Sequence, residues 1–212
     1  MEFSEKLFDF GCAPLTFIYS HRFYVKNKGR EKLIIKKVRP DCGCSTAPVE
    51  KSVIPPGDSA AIDFIFDSFG FEGKVKKKVY IHSNTGIDWI GIEINLTDKP
   101  EIPLKFDKVI IAKTSKVKKD TLLNIKNLTE KRIRIKVIAI DKSVVKKVYP
   151  CSLEILPGKR KKLSIKIKGK KKRNYGCITL EAEQEKKKWR FTVPVALIKE
   201  GEEFQKDIGL VP

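Results

Sequence analysis

Apolar and polar residues alternate in short runs along most of this 212-residue chain. In the first 100 residues these runs are "HRFYVKN", "EKLIIKKV", "AAIDFIFD", "KVKKKVYIHS" and "WIGIEINLT". They are rich in β-branched and aromatic residues, and turn-forming residues separate them. A period of two turns one side of a strand to a core and the other to water. Nothing in this stretch carries the 3.6-residue apolar period of a long amphipathic helix. The pattern predicts an all-β fold.

The pattern also occurs twice. "FYVKNKGREKLIIKKV", with Asn27, matches "LNIKNLTEKRIRIKVI", with Asn127. "VIPPGDSAAIDFIF" matches "EILPGKRKKLSIKI", setting Pro56-Gly57 against Pro157-Gly158, and "EGKVKKKVYIHS" matches "NYGCITLEAE", setting Gly73 against Gly176. Three features in one order at nearly one offset mark an internal duplication. Each copy holds about seven short strands, which predicts two tandem immunoglobulin-like antiparallel β-sandwich domains. The expected division is residues 1–98, residues 99–199 and a polar tail, 200–212, with the junction in "TDKPEIPL" (97–104). Strands over 16–27 and 32–39 are expected to pair across a turn at Asn27, which would set His21 near Val38. Asn127 is likewise read as a hairpin turn, although "NLT" at Asn95 and Asn127 also fits a glycosylation sequon.

Two of the five cysteines lie in "PDCGCS", as Cys42 and Cys44, just past the second of these strands. The second copy has "AIDKSVVKKVYP" there, so the sandwich folds without the pair. Three readings stand. A disulfide is one, because a turn brings residues i and i+2 within bonding range. A soft-metal site for Cu or Zn, completed by His21 or Cys12, is the second. Two thiols packed in a loop are the third. Cys151 and Cys177, expected at one rim of the second copy, are read as buried apolar cysteines or as a disulfide.

The order "FDFG", "HRFYVKNKG", "LIIKKVRPDCGCS", "IPPGDSAAIDFIFDS", Gly73 and "IHSN" resembles domain-of-unknown-function family 1573, over roughly residues 7–97. This is a bacterial Ig-like domain related to the Hydin and major-sperm-protein sandwiches. The resemblance implies a seven-stranded sandwich, usually on exported or envelope proteins, and implies no catalytic activity.

Charge separates the copies. Residues 1–97 carry 14 Lys+Arg against 12 Asp+Glu, and residues 98–212 carry 31 against 14. The scarcity of Gln and Met beside many Lys, Glu, Ile and Val resembles proteins adapted to high temperature, but that bias would load both halves. The asymmetry therefore points to an anionic partner. Arg132, Arg134 and Lys136 alternate with apolar residues, as do Lys166 and Lys168, and Lys170, Lys171, Lys172 and Arg173 follow. One basic sheet face is expected from them, able to bind nucleic acid, lipid headgroups or an anionic envelope polymer. The plain alternative is a solvated face that blocks edge pairing. Lys outnumbers Arg 26 to 5 in residues 98–212, so any binding to nucleic acid would be nonspecific.

No P-loop, Rossmann fingerprint or G-x-S-x-G elbow is present, and His21 and His82 are the only histidines. No apolar run reaches the ~18 residues of a membrane helix, and "MEFSEKLFDFG" lacks the pattern of a signal peptide. The sequence thus predicts a non-enzymatic binding or scaffolding protein with a protein or anionic-polymer partner. A periplasmic or envelope setting is expected if an export signal precedes it, and a cytoplasmic one otherwise. The rival roles are thiol-redox or metal handling by Cys42, Cys44 and His21, and nonspecific polyanion binding.

Overall fold

The computed structural model describes residues 1–114, 120–168 and 174–199. The N-terminal half runs β1 (Glu2–Phe3), β2 (Leu7–Ala13), β3 (Ile18–Lys26), β4 (Leu33–Pro40), β5 (Ser45–Thr46), β6 (Val53–Ile54), β7 (Ser59–Asp67), β8 (Gly73–Ser83) and β9 (Gly86–Leu96). The C-terminal half runs β10 (Leu104–Phe106), β11 (Ile110–Thr114), β12 (Asp120–Asn127), β13 (Ile133–Ile140), β14 (Val145–Tyr149), β15 (Ser152–Ile155), β16 (Arg160–Ile167), β17 (Tyr175–Gln184) and β18 (Lys187–Lys199). The described residues are all-β, and among them no helix is long and apolar enough to cross a membrane.

Two four-stranded sheets, β1-β3-β7-β5 and β10-β12-β16-β14, pack on one long sheet ordered β15-β13-β17-β18-β2-β9-β8-β4-β6, with β11 added beside β18. The alternation read from the sequence sets the faces. In β4, Leu33 and Ile35 are buried while Ile34 and Lys36 are exposed. Apolar faces meet in two cores. Phe10, Tyr19, Phe23, Phe64, Phe66 and Ile81 anchor the first, and Leu123, Ile133, Ile165, Leu180, Phe191 and Val193 anchor the second.

The expected hairpin at Asn27 does not form. β3 pairs with β7, setting His21 opposite Phe64, and β4 pairs with β8, setting Val38 opposite Ile81. The turn carries the chain from one sheet to the other. Asn27 is buried there, and its side-chain amide donates to the carbonyls of Glu31 (2.8 Å) and Ile54 (2.9 Å). Its Oδ1 accepts from the Gly29 amide. Asn127 repeats this arrangement with Lys131, Ile155 and Thr129, so it too is an inter-sheet latch and no hairpin turn. The Pro-Gly turns are also equivalent, with Gly57 at φ +78° and Gly158 at φ +65°.

The halves are sewn together along β2, which lies parallel to both β9 and β18 and opposes Cys12 to Phe191. Thr192 donates from its hydroxyl to the Phe10 carbonyl (2.7 Å), and Arg190 donates to the Asp9 carbonyl (3.3 Å). Gly11 sits in the bulge of β2 at φ +66°, and a Cβ there would lie 2.0 Å from the Arg190 carbonyl oxygen. The cores overlap at this seam. Cys177 of β17 belongs to the first, and Cys12 of β2 packs against the second.

Candidate functional site

The Cys-Gly-Cys stretch is the corner at which the chain leaves β4 in the long sheet and enters β5 in the smaller one. Asp41 ties its start to β8, its amide donating to the Lys78 carbonyl and its carboxylate accepting from the Lys78 amide. The Cys44 carbonyl accepts from the Asp67 amide at the end of β7. Between these anchors Cys42 and Cys44 form a disulfide with Cα atoms 5.3 Å apart. Both are half-buried, and Cys44 packs on the first core. The C-terminal half turns its equivalent corner without sulfur. The Asp141 carboxylate accepts from the backbone amide and hydroxyl of Ser143, and the Asp141 carbonyl accepts from the amides of Val144 and Val145. An aspartate turn thus does in one half what the disulfide does in the other.

His21 does not join the cysteines. It lies on β3, two strand spacings of ~4.8 Å and three residues of ~3.4 Å from Cys44, or ~14 Å along the sheet. Its ring faces inward, stacked on Phe8 at 3.6 Å, and Nε2 lies 2.8 Å from a Glu5 carboxylate oxygen. The expected pairing with Val38 fails because β3 and β4 belong to different sheets. Cys12 lies at the seam, where the Asn95 amide approaches its sulfur at 3.6 Å. Among the described residues no three His, Cys, Asp or Glu side chains gather as a metal would require. Cys177 is buried, its thiol directed at the Ser20 carbonyl, whereas Cys151 is exposed and corrects the expectation of burial there.

The predicted basic residues divide between two sheets. Arg132 and Arg134 lie before and on β13 in the long sheet and pair with Glu154; Glu183 opposes Arg134, and Glu181 opposes Lys136. Lys166 lies on β16 in the smaller sheet, and Lys168 just beyond it donates to the Lys142 carbonyl. The single cationic face expected from these residues is therefore corrected, because β13 and β16 belong to different sheets. Lys170, Lys171, Lys172 and Arg173 lie outside the described residues.

The sequence pattern missed a cleft of about 460 Å³ where the halves meet. His21, Arg22 and Tyr24 form one wall, and Val137–Ile140, Lys142, Lys146, Lys147, Val148 and Cys151 form the other. Among the described residues no carboxylate lines it. Arg22 donates to both Asp63 oxygens (2.6 and 2.9 Å), which raises its pKa beyond its already high value and keeps it charged. β3 has an open edge here. Tyr24 uses its amide and carbonyl on Ser4, while β1 reaches only Lys26 and Val25. Antiparallel alternation turns the Arg22 amide and carbonyl to the same side, and neither has a partner among the described residues. β14 opposite is also an edge strand. Residues more than 100 positions apart in the chain build these walls, so no local signal marks them.

Comparison with curated proteins gives no match. Among solved structures the chain is similar to the Vibrio cholerae VesB protease (TM-score 0.37, 14% identity, covering 45% of this chain and 31% of that one). It is also similar to a protein of unknown function from Porphyromonas gingivalis W83 (TM-score 0.34, 12% identity, 92% and 99%). A third similar structure is the Pseudomonas aeruginosa CupB2 chaperone (TM-score 0.34, 10% identity, 92% and 100%). The chain spans about a third of the VesB protease chain. Residues 1–97 match the model of the family described as "Protein of unknown function (DUF1573)", and this part of the chain is a domain of that family.

Proposed function

We propose that the protein is a non-enzymatic binding protein, built as two tandem sandwiches, that holds an extended acidic polypeptide segment in the cleft between its halves. The observation that carries this reading is the open edge of β3 at Arg22, facing a wall that among the described residues holds three lysines and no carboxylate. A strand added to that edge would satisfy the Arg22 amide and carbonyl, and the lysines would favour acidic side chains on it. An envelope or periplasmic setting accords with the Cys42–Cys44 bond, since disulfides persist in oxidising compartments. The test is titration of isotope-labelled protein with an unstructured peptide of alternating Val and Glu. The expected result is protection of the Arg22 amide from exchange, with affinity lowered at least tenfold by Lys142→Glu with Lys146→Glu. Binding that leaves Arg22 unprotected, or no binding, would overturn the reading.

The disulfide supports a second reading, thiol-disulfide exchange at the half-exposed corner, where Gly43 is open to solvent. A substrate thiolate would attack one sulfur to form a mixed disulfide. The second substrate thiol would then displace it, leaving Cys42 and Cys44 as thiols and the substrate oxidised, two electrons and two protons having passed to the corner. Alkylation and intact mass across a series of glutathione ratios test this. Reduction within the cellular range supports exchange, and a bond that persists throughout identifies a structural clasp.

A further inference from the structure

The outer face of β10-β12-β16-β14 is a cationic field of which the sequence pattern had named only Lys166. Register places its side chains in rows. Lys105, Lys126 and Arg160 stand side by side, and Lys166 stands beside Lys147. Lys162 occupies the row between, beside Asn124. Among the described residues none of these six cations has an ion-pair partner. Among the described residues the carboxylates of this region are Asp120, in the Lys166 row, and Asp107, which accepts from the backbone and side-chain amides of Asn124. Like charges placed directly opposite on neighbouring strands repel, so the field opposes folding until counter-charge arrives. The corresponding sheet of the N-terminal half instead neutralises Arg22 with Asp63.

Within this field the row Leu122, Ser164, Tyr149 carries two large apolar side chains, exposed by 48% and 65%. The cations extend over four strands in two dimensions, about three strand spacings of ~4.8 Å wide. A linear polyanion follows one track and gains little from Leu122. A planar anionic surface meets the whole field at once, and its interfacial region accepts the leucine and the phenol ring while the lysine heads reach phosphate.

We infer that this face docks the protein on an anionic lipid surface. Lys147 borders both this field and the cleft, but the residues substituted in the test, Lys126, Lys162, Lys166 and Leu122, do not line the cleft, so the two readings are tested separately. The experiment is flotation with vesicles of equal parts phosphatidylglycerol and phosphatidylcholine, against vesicles of phosphatidylcholine alone. Wild type should float only with the anionic vesicles. Lys126→Gln with Lys162→Gln and Lys166→Gln should lower partitioning by at least ~10-fold, since each basic residue at such a surface contributes about fivefold. Leu122→Ser should lower it several-fold while leaving binding to inorganic polyphosphate unchanged. Unchanged melting temperatures would show that the exposed substitutions leave the fold intact, and Arg22 protection by the Val-Glu peptide should survive them. Three outcomes would overturn the inference: no flotation, flotation indifferent to the triple substitution, or polyphosphate binding with vesicle binding insensitive to Leu122→Ser. The last would identify a linear polyanion as the occupant.

Discussion

Asn27 and Asn127 show how much one buried amide decides. Each donates to two main-chain carbonyls, one of them fully buried, and each accepts one amide in return. Asn127→Ala would leave the buried Ile155 carbonyl and the Thr129 amide without their partner, whereas the Lys131 carbonyl keeps the Thr129 hydroxyl and the Gln184 amide as donors. We expect a loss of about 2–3 kcal/mol, read as a lowered urea midpoint with an unchanged slope. Glu181 gives a smaller, pH-dependent effect. Burial pushes its pKa up, but hydrogen bonds from Arg190 and Lys188 outweigh this and hold the carboxyl below its ordinary value. A folded pKa below the unfolded one stabilises the protein above the unfolded value, and the gain is lost as pH falls through the folded value. Glu181→Gln should therefore cost about 0.5 kcal/mol at neutral pH, the scale of a partly solvated pair. The difference from wild type should fade as pH drops below the usual glutamate range, as checked by urea midpoints along a pH series.

At the scale of elements, β2 is the strand on which the joining of the halves depends. It lies between β9 and β18, and Gly11 lets its bulge lie flat against Arg190. Gly11→Ala would meet two obstacles, a left-handed backbone and a carbonyl at 2.0 Å, so the seam would have to part. A loss of ~3 kcal/mol or more is expected. Amide exchange should quicken along β2 and the facing part of β18 before it does along β7 or β16. Equal quickening throughout would show that the seam is no separate unit. The two sheet-changing corners are a second lesson at this scale. Because the Asp141 turn performs the same connection without sulfur, Cys42→Ser with Cys44→Ser should leave the fold intact and lower stability by no more than about 3 kcal/mol.

Over the whole molecule, the long sheet crosses from one half to the other and the two cores touch through Cys12 and Cys177. Such continuity predicts cooperative unfolding. Trp89 reports on the first half and Trp189 on the second. Single-tryptophan variants, Trp189→Phe and Trp89→Phe, should show coincident urea transitions once corrected for the stability change of each substitution. Two well-separated transitions would mean that the halves unfold independently despite the shared sheet.

The sequence by itself determined the strand-forming segments and the all-β class, because alternation and turn residues act over a few neighbours. The Asn27 and Asn127 match was legible, as were the Pro-Gly turns and the family to which residues 1–97 belong. The choice of partner strand was not. A β-strand pairs equally well on either edge, and a buried amide seen only in three dimensions sends β4 away from β3. The crossing at Asn27 removed His21 from the cysteines, and its counterpart at Asn127 divided the predicted cations between two sheets. The cleft, the Gly11 seam and the field around Leu122 likewise exist only after folding, because each gathers residues from separate strands, and register alone decides which side chains share a face.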